Sequence, residues 1–240
     1  MIPWLDSDDD HTQFPKHSEA LTEPDGLLAA GGSLRPLRLL QAYRNGIFPW
    51  YNPGEPILWW SPSQRAVIYP EKIHVSRRLQ RELRNTNMEI TYNTAFREVM
   101  LNCAAPRKKS LGTWITEEMI EAYCELNKLG FARSVECNLF GKLVGGIYGV
   151  QLGRVFFGES MFSLLPNASK IALIDVARSP DVSLIDCQMP NPHLETMGMQ
   201  LIPRRHFLQL LKRYCEPAKP VHSIGSTSLS PESLNPPKYR

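Results

Sequence analysis

Between Phe48 and Pro62, the aromatic residues Phe48, Trp50, Tyr51, Trp59 and Trp60 are interleaved with prolines 49, 53, 56 and 62. Proline removes a backbone donor and pushes the residue before it out of the helical region, so no regular helix can run through this stretch. It reads as a rigid aromatic loop, and it separates two bodies of more regular sequence. Before it, Gly31-Gly32-Ser33 forms a turn whose serine is placed to cap a helix from about Arg35 to Arg44, with leucines 37, 39 and 40 on the apolar faces. After it, Ala66 to Tyr69 reads as a strand, and Ser76 caps a helix through about Arg84 whose Leu79 and Leu83 face inward.

Further along, helices are predicted over Thr94 to Cys103 and from Thr116 to about Leu129. Beyond Gly130 the character changes. Ser134 to Leu139, Leu143 to Val150 and Arg154 to Phe157 are β-branched or aromatic runs separated by short glycine-bearing turns, the pattern of an antiparallel meander. An apolar helix then starts at Asn167 or Ser169 and ends before Pro180, Leu184 to Cys187 returns as a short strand, and His206 to Tyr214 closes as a helix. From Glu216 onward, five prolines, five serines and a glycine among 25 residues bury too little apolar surface to offset ordering, so a disordered tail is expected.

With 240 residues, 42% of them hydrophobic and 21% charged, the chain can bury a substantial core and does not fall among disordered, collagenous or membrane-embedded classes. The length suits one large domain with a smaller appendage. No run approaches a membrane span, the N-terminus lacks the basic-then-apolar order of a secretory signal, and the odd, scattered cysteines read as reduced thiols. A cytoplasmic protein is expected. The net charge of +3 hides an asymmetry, because residues 1–25 hold seven acids and one lysine and leave 26 bases against 17 acids in the rest. The acidic arm has only Trp4 and Phe14 as anchors, whereas the basic body is compatible with nucleic acid, an anionic membrane or acidic partners.

Four constellations have the residue types that chemistry needs. Tryptophans on a proline-stiffened loop lose little entropy when a flat ligand stacks on them, although each can equally fill a core. Lys72, Arg77, Arg78, Arg81 and Arg84 are offset only by Glu82, giving +4 over thirteen residues and a face able to hold phosphates; Arg107-Lys108-Lys109 adds a second patch. Glu159 is a lone carboxylate at an apolar strand end, beside a glycine that admits a ligand to the backbone. Asp186 and Gln188, two residues apart on a strand, are expected on one face, where the carboxylate can polarise the amide and the amide can position or accept a proton from an amine. Asn191 and His193 are loop residues within reach of a ligand, and Cys187 would need such a histidine to act as a nucleophile. The phosphate-loop, dinucleotide-turn and zinc-protease motifs are all missing, so no cofactor and no metal are expected.

Together, Glu23-Pro24-Asp25-Gly26-Leu27-Leu28-Ala29, Tyr43-Arg44-Asn45-Gly46-Ile47-Phe48-Pro49-Trp50, Ile57-Leu58-Trp59-Trp60-Ser61-Pro62, Thr113-Trp114-Ile115-Thr116, Gly158-Glu159-Ser160-Met161-Phe162 and Ile185-Asp186-Cys187-Gln188 resemble the leucyl/phenylalanyl-tRNA-protein transferases. The resemblance covers about residues 22–211 and implies an α+β protein with a small N-terminal α/β domain and a larger acetyltransferase-like (GNAT-like) α/β domain; with the acidic arm and the tail, which lie outside it, the expected division is 1–63, 64–215 and a disordered tail over 216–240. It implies aminoacyl-tRNA as co-substrate and proteins with N-terminal Arg or Lys as acceptors, in the N-end-rule route to degradation. Carried over by residue, Trp50 and Trp114 border the terminal adenosine, with Tyr43 and Tyr123 beside them. Ile147, Ser160, Met161, Ala172 and Asn191 complete the aminoacyl-adenosine site. Asp186, Gln188 and Glu159 take the catalytic positions. After Ser163 the family continues with arginine where Leu164 stands, and the connector 178–183 is shorter, which implies a trimmed helix end. Two other readings compete. An acyl-CoA-dependent N-acetyltransferase would need a pyrophosphate turn that Gln151-Leu152-Gly153-Arg154 does not supply, and a noncatalytic RNA-binding module would leave Asp186 and Gln188 idle. A monomer is expected.

Overall fold

A computed structural model describes residues 2–105 and 113–215 of the chain; the patch Arg107-Lys108-Lys109 and the tail 216–240 lie outside the described residues. Two sheets organise them. The first contains β1 (Trp4–Leu5), β2 (Leu27–Gly31), β3 (Phe48–Pro49) and β4 (Leu58–Trp60) in the order β1-β2-β4-β3, with α1 (Pro36–Arg44) between β2 and β3. The aromatic stretch is therefore not all loop: its two ends pair as an antiparallel ribbon, Phe48 with Trp60 and Pro49 with Trp59. Ser33 does not cap α1. Pro36 opens the helix at its first position, and the Ser33 hydroxyl instead donates to Asp10 at 2.6 Å.

The second sheet has seven strands in the order β11-β5-β10-β9-β8-β7-β6. Along the chain it runs β5 (Gln64–Ile68), α2 (Arg77–Asn85), β6 (Glu89–Tyr92), α3 (Phe96–Ala104), α4 (Glu117–Lys128), β7 (Ala132–Leu139), β8 (Lys142–Leu152) and β9 (Val155–Ser163). It continues through α5 (Ala168–Arg178), β10 (Leu184–Gln188), α6 (Pro192–Glu195), β11 (Gln200–Pro203) and α7 (Arg204–Tyr214). Strands β7 to β9 form the antiparallel meander, with β9 running six residues beyond Phe157. Strand β10 lies parallel to β9, and α5 makes the crossover that a parallel pair requires. Ser76 and Thr116 cap α2 and α4 as expected, accepting from the amides of Leu79 and Met119. Strands β1, β2, β6 and β11 and the short helix α6 lie where the sequence signals no regular element.

Alternation along β7 and β8 divides the core. Val135, Cys137 and Ile147 meet α5 and the inner face of α2, while Tyr148 and Val150 on the opposite side pack with α1, α3, α4 and α7. A Cβ on Gly145 would stand 2.3 Å from the Cβ of Ala168, so β8 and α5 touch backbone to backbone there. Gly145→Ala is expected to push α5 off the sheet at a cost of about 1–3 kcal/mol, read as a lower urea midpoint with an unchanged slope.

The acidic arm is also part of the fold. Arg35 pairs with Asp10 at 2.7 Å, and the wholly buried Arg38 donates to the carbonyls of Thr12 and Asp9 with its guanidinium 5.1 Å from the Phe14 ring. Phe14 in turn meets the edge of Trp59 at 5.0 Å. Trp4, by contrast, is 70% exposed and anchors little.

Candidate active site

Among the described residues a cavity of about 1210 Å³ opens between the β3–β4 ribbon, the end of α3, strands β9 and β10, and the start of α5. Glu159 lies on its floor, in the middle of β9 and not at a strand end. Tyr148 pairs with Ser160 and Gly149 with Gly158, so Glu159 is the extra residue of a bulge, a device that re-aims a side chain out of the pleat. Its Oε1 accepts from the Tyr43 hydroxyl at 2.7 Å and from Gln188 Nε2 at 3.0 Å, and its Oε2 accepts from the Tyr123 hydroxyl at 3.3 Å. The two phenols also bond to each other. Burial pushes the carboxyl up to about 7, against the pull of the tyrosine hydrogen bonds. Burial and the neighbouring carboxylate hold both phenols well above their ordinary range, so they remain donors.

Tyr43 and Tyr123 are completely buried behind Glu159 and do not line the cavity, which differs from the wall position expected for them. They arrive from α1 and α4, so elements remote in sequence converge on one carboxylate. The unpartnered hydroxyl of Tyr148 lies buried nearby, its ring 5.9 Å from that of Tyr123.

Asp186 also departs from expectation. Ile185 and Cys187 line the cavity, whereas Asp186 points to the opposite side of the sheet, fully buried in a two-pronged ion pair with Arg65: Nε to Oδ1 at 2.8 Å and Nη2 to Oδ2 at 2.7 Å. Strict alternation would have put Gln188 beside it. A bulge intervenes, because Asp186 pairs with Val67 and Gln188 with the adjacent Ala66, leaving Cys187 as the extra residue. Gln188 takes a left-handed φ of 55° and reaches the cavity. What Asp186 receives at 3.0 Å is the backbone N–H of Gln188 and not its side-chain amide, which is spent on Glu159. Burial pushes the Cys187 thiol up, away from nucleophilic character. Burial and the charge of Lys170 push the His193 imidazole down.

Trp50 and Trp114 both border the cavity, Trp50 with 45% of its surface exposed. Trp60 steadies it by donating Nε1 to the Trp50 carbonyl at 2.7 Å, and Trp59 is core, its indole bonded to Gly31. Ile147, Ser160, Met161, Asn191 and Leu164 also line the space. Ala172 does not: it is buried on the sheet side of α5, and its neighbour Leu173 faces the cavity together with Ser169 and Lys170.

The family model described as leucyl/phenylalanyl-tRNA protein transferase matches residues 67–212, and the model of that family's N-terminal domain matches residues 32–63. The chain belongs to the leucyl/phenylalanyl-tRNA protein transferase family. The protein of that name from Nitrosospira multiformis is 54% identical over 88% of this chain and 91% of its own length. Those from an Azoarcus species and from Alcanivorax borkumensis are 53% and 50% identical, over 95% and 93% of this chain and 97% and 92% of their own lengths.

In this transferase the cationic helix meets the cavity rim. Leu79 and Leu83 seat α2 on the core, leaving Lys72 and arginines 77, 78, 81 and 84 exposed. The helix's one acid is turned to the rim, where Glu82 accepts from Asn167 Nδ2 at 2.8 Å and Asn167 itself lines the cavity. Lys170 adds a cation on the same side. Nothing in the local sequence marks Lys170 or Leu173 as cavity residues, and Arg65 is marked only as a lone charge beside the apolar Ala66 to Ile68. No helix among the described residues is long and apolar enough to cross a membrane.

Proposed function

We propose that the protein moves a leucyl or phenylalanyl group from its ester linkage on tRNA to the α-amine of a protein beginning with arginine or lysine, marking that protein for N-end-rule degradation. The observation that carries this reading is Glu159 at the floor of an apolar cavity, tied to Gln188 and walled by Trp50 and Trp114. An indole wall suits a terminal adenosine, since stacking of a base on an aromatic ring is worth about 1–3 kcal/mol. Ile147, Met161 and Leu173 offer the surface that an apolar side chain needs. A single methylene there changes binding by only about 1–3 kcal/mol, so related apolar donors share the site.

In the transfer the acceptor nitrogen attacks the ester carbonyl, a C–N bond forms, the bond to the ribose oxygen breaks, and the proton lost by nitrogen ends on that oxygen. An α-amine with a pKa of about 8 is partly neutral near pH 7. Glu159, poised at about 7, takes the proton and returns it to the leaving oxygen. Gln188, anchored to Glu159 through its amide nitrogen, keeps its carbonyl to orient the amine. Aminolysis of an ester runs downhill, so the step needs no coupled nucleotide hydrolysis, and the proposed mechanism uses no metal or other cofactor. The meander followed by an α5 crossover supports an acetyltransferase-like body after a division near residue 63. A cytoplasmic monomer completes the reading.

Leucyl-tRNA and an arginine-initiated peptide are expected to yield a peptide one residue longer by mass, carrying no nucleotide. A folded protein that binds tRNA yet leaves the peptide unchanged would point to the noncatalytic binding module instead. The two halves of the donor site are separable. Trp50→Ala is expected to weaken short aminoacyl-adenosine donors by about 1–3 kcal/mol. Reversing Arg77 and Arg81 to glutamate is expected to spare them, weaken full-length tRNA and flatten the salt dependence of its binding by roughly two logarithmic units per decade. Equal losses for short and long donors would contradict that division.

A further inference from the structure

Arg65 does not itself line the cavity, but Phe48, which does, lies against its guanidinium, and Gln188, which also does, is one contact further on through Asp186. Its guanidinium is 1% exposed, lies 4.6 Å from the Phe48 ring and 4.7 Å from the Phe207 ring, and donates Nη1 to the Gly46 carbonyl at 3.1 Å. Its remaining edge grips both oxygens of Asp186. Oδ1 of that carboxylate also receives the Gln188 N–H, at the one residue of β10 with a left-handed φ. Such a conformation is uncommon for a residue with a side chain, and a hydrogen bond back to the preceding acid is what holds it there. From that turn the Gln188 amide reaches Glu159.

We infer that Arg65 is a positioning residue of the transfer reaction, fixing Asp186 so that Gln188 is held against Glu159. The inference rests on the proposed function. A buried ion pair is weak evidence for stability, since apolar residues of like volume often serve as well, so the fork is better explained by the geometry it imposes. Lysine would keep the charge but offers a single point in place of two parallel donors on a plane that stacks between rings.

The test is Arg65→Lys, measured beside wild type with leucyl-tRNA and an arginine-initiated peptide, and with a non-hydrolysable leucyl-adenosine amide as the binding probe. Binding of the amide is expected to stay within about threefold while kcat falls about 100-fold, the scale of a small misplacement in a reacting site. The acidic limb of the pH profile is expected to move upward, because Glu159 loses the Gln188 donor that favours its ionised form. Unchanged kcat, or a fall in kcat matched by lost binding with the limb unmoved, would overturn the inference. Should Arg65→Lys not fold, Arg65→Met combined with Asp186→Leu fills the same space without charge. That pair is expected to fold and turn over as slowly, and wild-type turnover by it would equally sink the inference. Wild-type protein that transfers nothing defeats the proposed function and this inference with it, whereas an active wild type matched by its variants defeats the inference alone.

Discussion

Glu159→Gln is expected to lower kcat for transfer by about 10²–10⁴-fold, the usual contribution of a positioned acid or base, with donor binding nearly unchanged. The amide keeps the shape of the carboxylate and can still accept from Tyr43, but it cannot take up a proton. The acidic limb expected near pH 7 for the wild type should therefore disappear in the variant, whose residual rate then follows the acceptor amine alone. Stability gives an independent reading of the same group. Its folded pKa of about 7 lies above the ordinary 4.5, so its contribution is fully present below 4.5 and is lost as pH rises through 7. Above pH 7 the wild type holds a partly buried anion and the variant does not. Urea midpoints measured at pH 6 and pH 8.5 are expected to diverge in favour of Glu159→Gln, and parallel midpoints would show that the carboxyl titrates elsewhere.

Asp186→Ala is expected to be the most destabilising change at the site. It leaves the Arg65 guanidinium fully buried between two rings with no counter-charge, and breaking one side of such a pair costs about 3–5 kcal/mol. The variant therefore loses transfer partly by unfolding, and its inactivity says little about chemistry unless folding is measured alongside. Adding Arg65→Met to Asp186→Ala removes the stranded charge and is expected to recover part of the loss. That recovery appears as a coupling energy in a denaturation cycle over the four proteins.

Local rules carried the sequence reading where residues answer to their neighbours. Ser76 and Thr116 cap because the amide three residues on is within reach in any helix start, and Leu79 and Leu83 turn inward because the spacing leaves no other apolar face. The reading failed where a distant group intervened. Ser33 has the sequence of a cap, but α1 begins only at Pro36, so the Ser33 Oγ accepts the N–H of Arg35 ahead of the helix at 3.2 Å while its hydroxyl donates to Asp10. Leu27–Gly31 is buried on both faces, so the strand lacks the alternation that marks one. The bulge that parts Asp186 from Gln188 depends on pairing with Val67 and Ala66 and leaves no trace in four consecutive letters. Ala172 is carried over from the resemblance, and a single step of helical phase separates it from Leu173, the residue that faces the cavity. For the catalytic candidates, the motif residues named the participants but not their contacts, since Tyr43, Tyr123 and Gln188 meet Glu159 from positions 29 to 116 residues away.

The acidic arm sets a practical limit on how the protein can be engineered. Arg38 is sealed inside by the carbonyls of Asp9 and Thr12 and the ring of Phe14, and it belongs to the same short helix that presents Tyr43 to Glu159. Trimming the first fourteen residues would uncover a guanidinium at one end of that helix and loosen the phenol at the other. What looks like a dispensable leader in the primary structure is thus a brace for the helix that brings Tyr43 to Glu159.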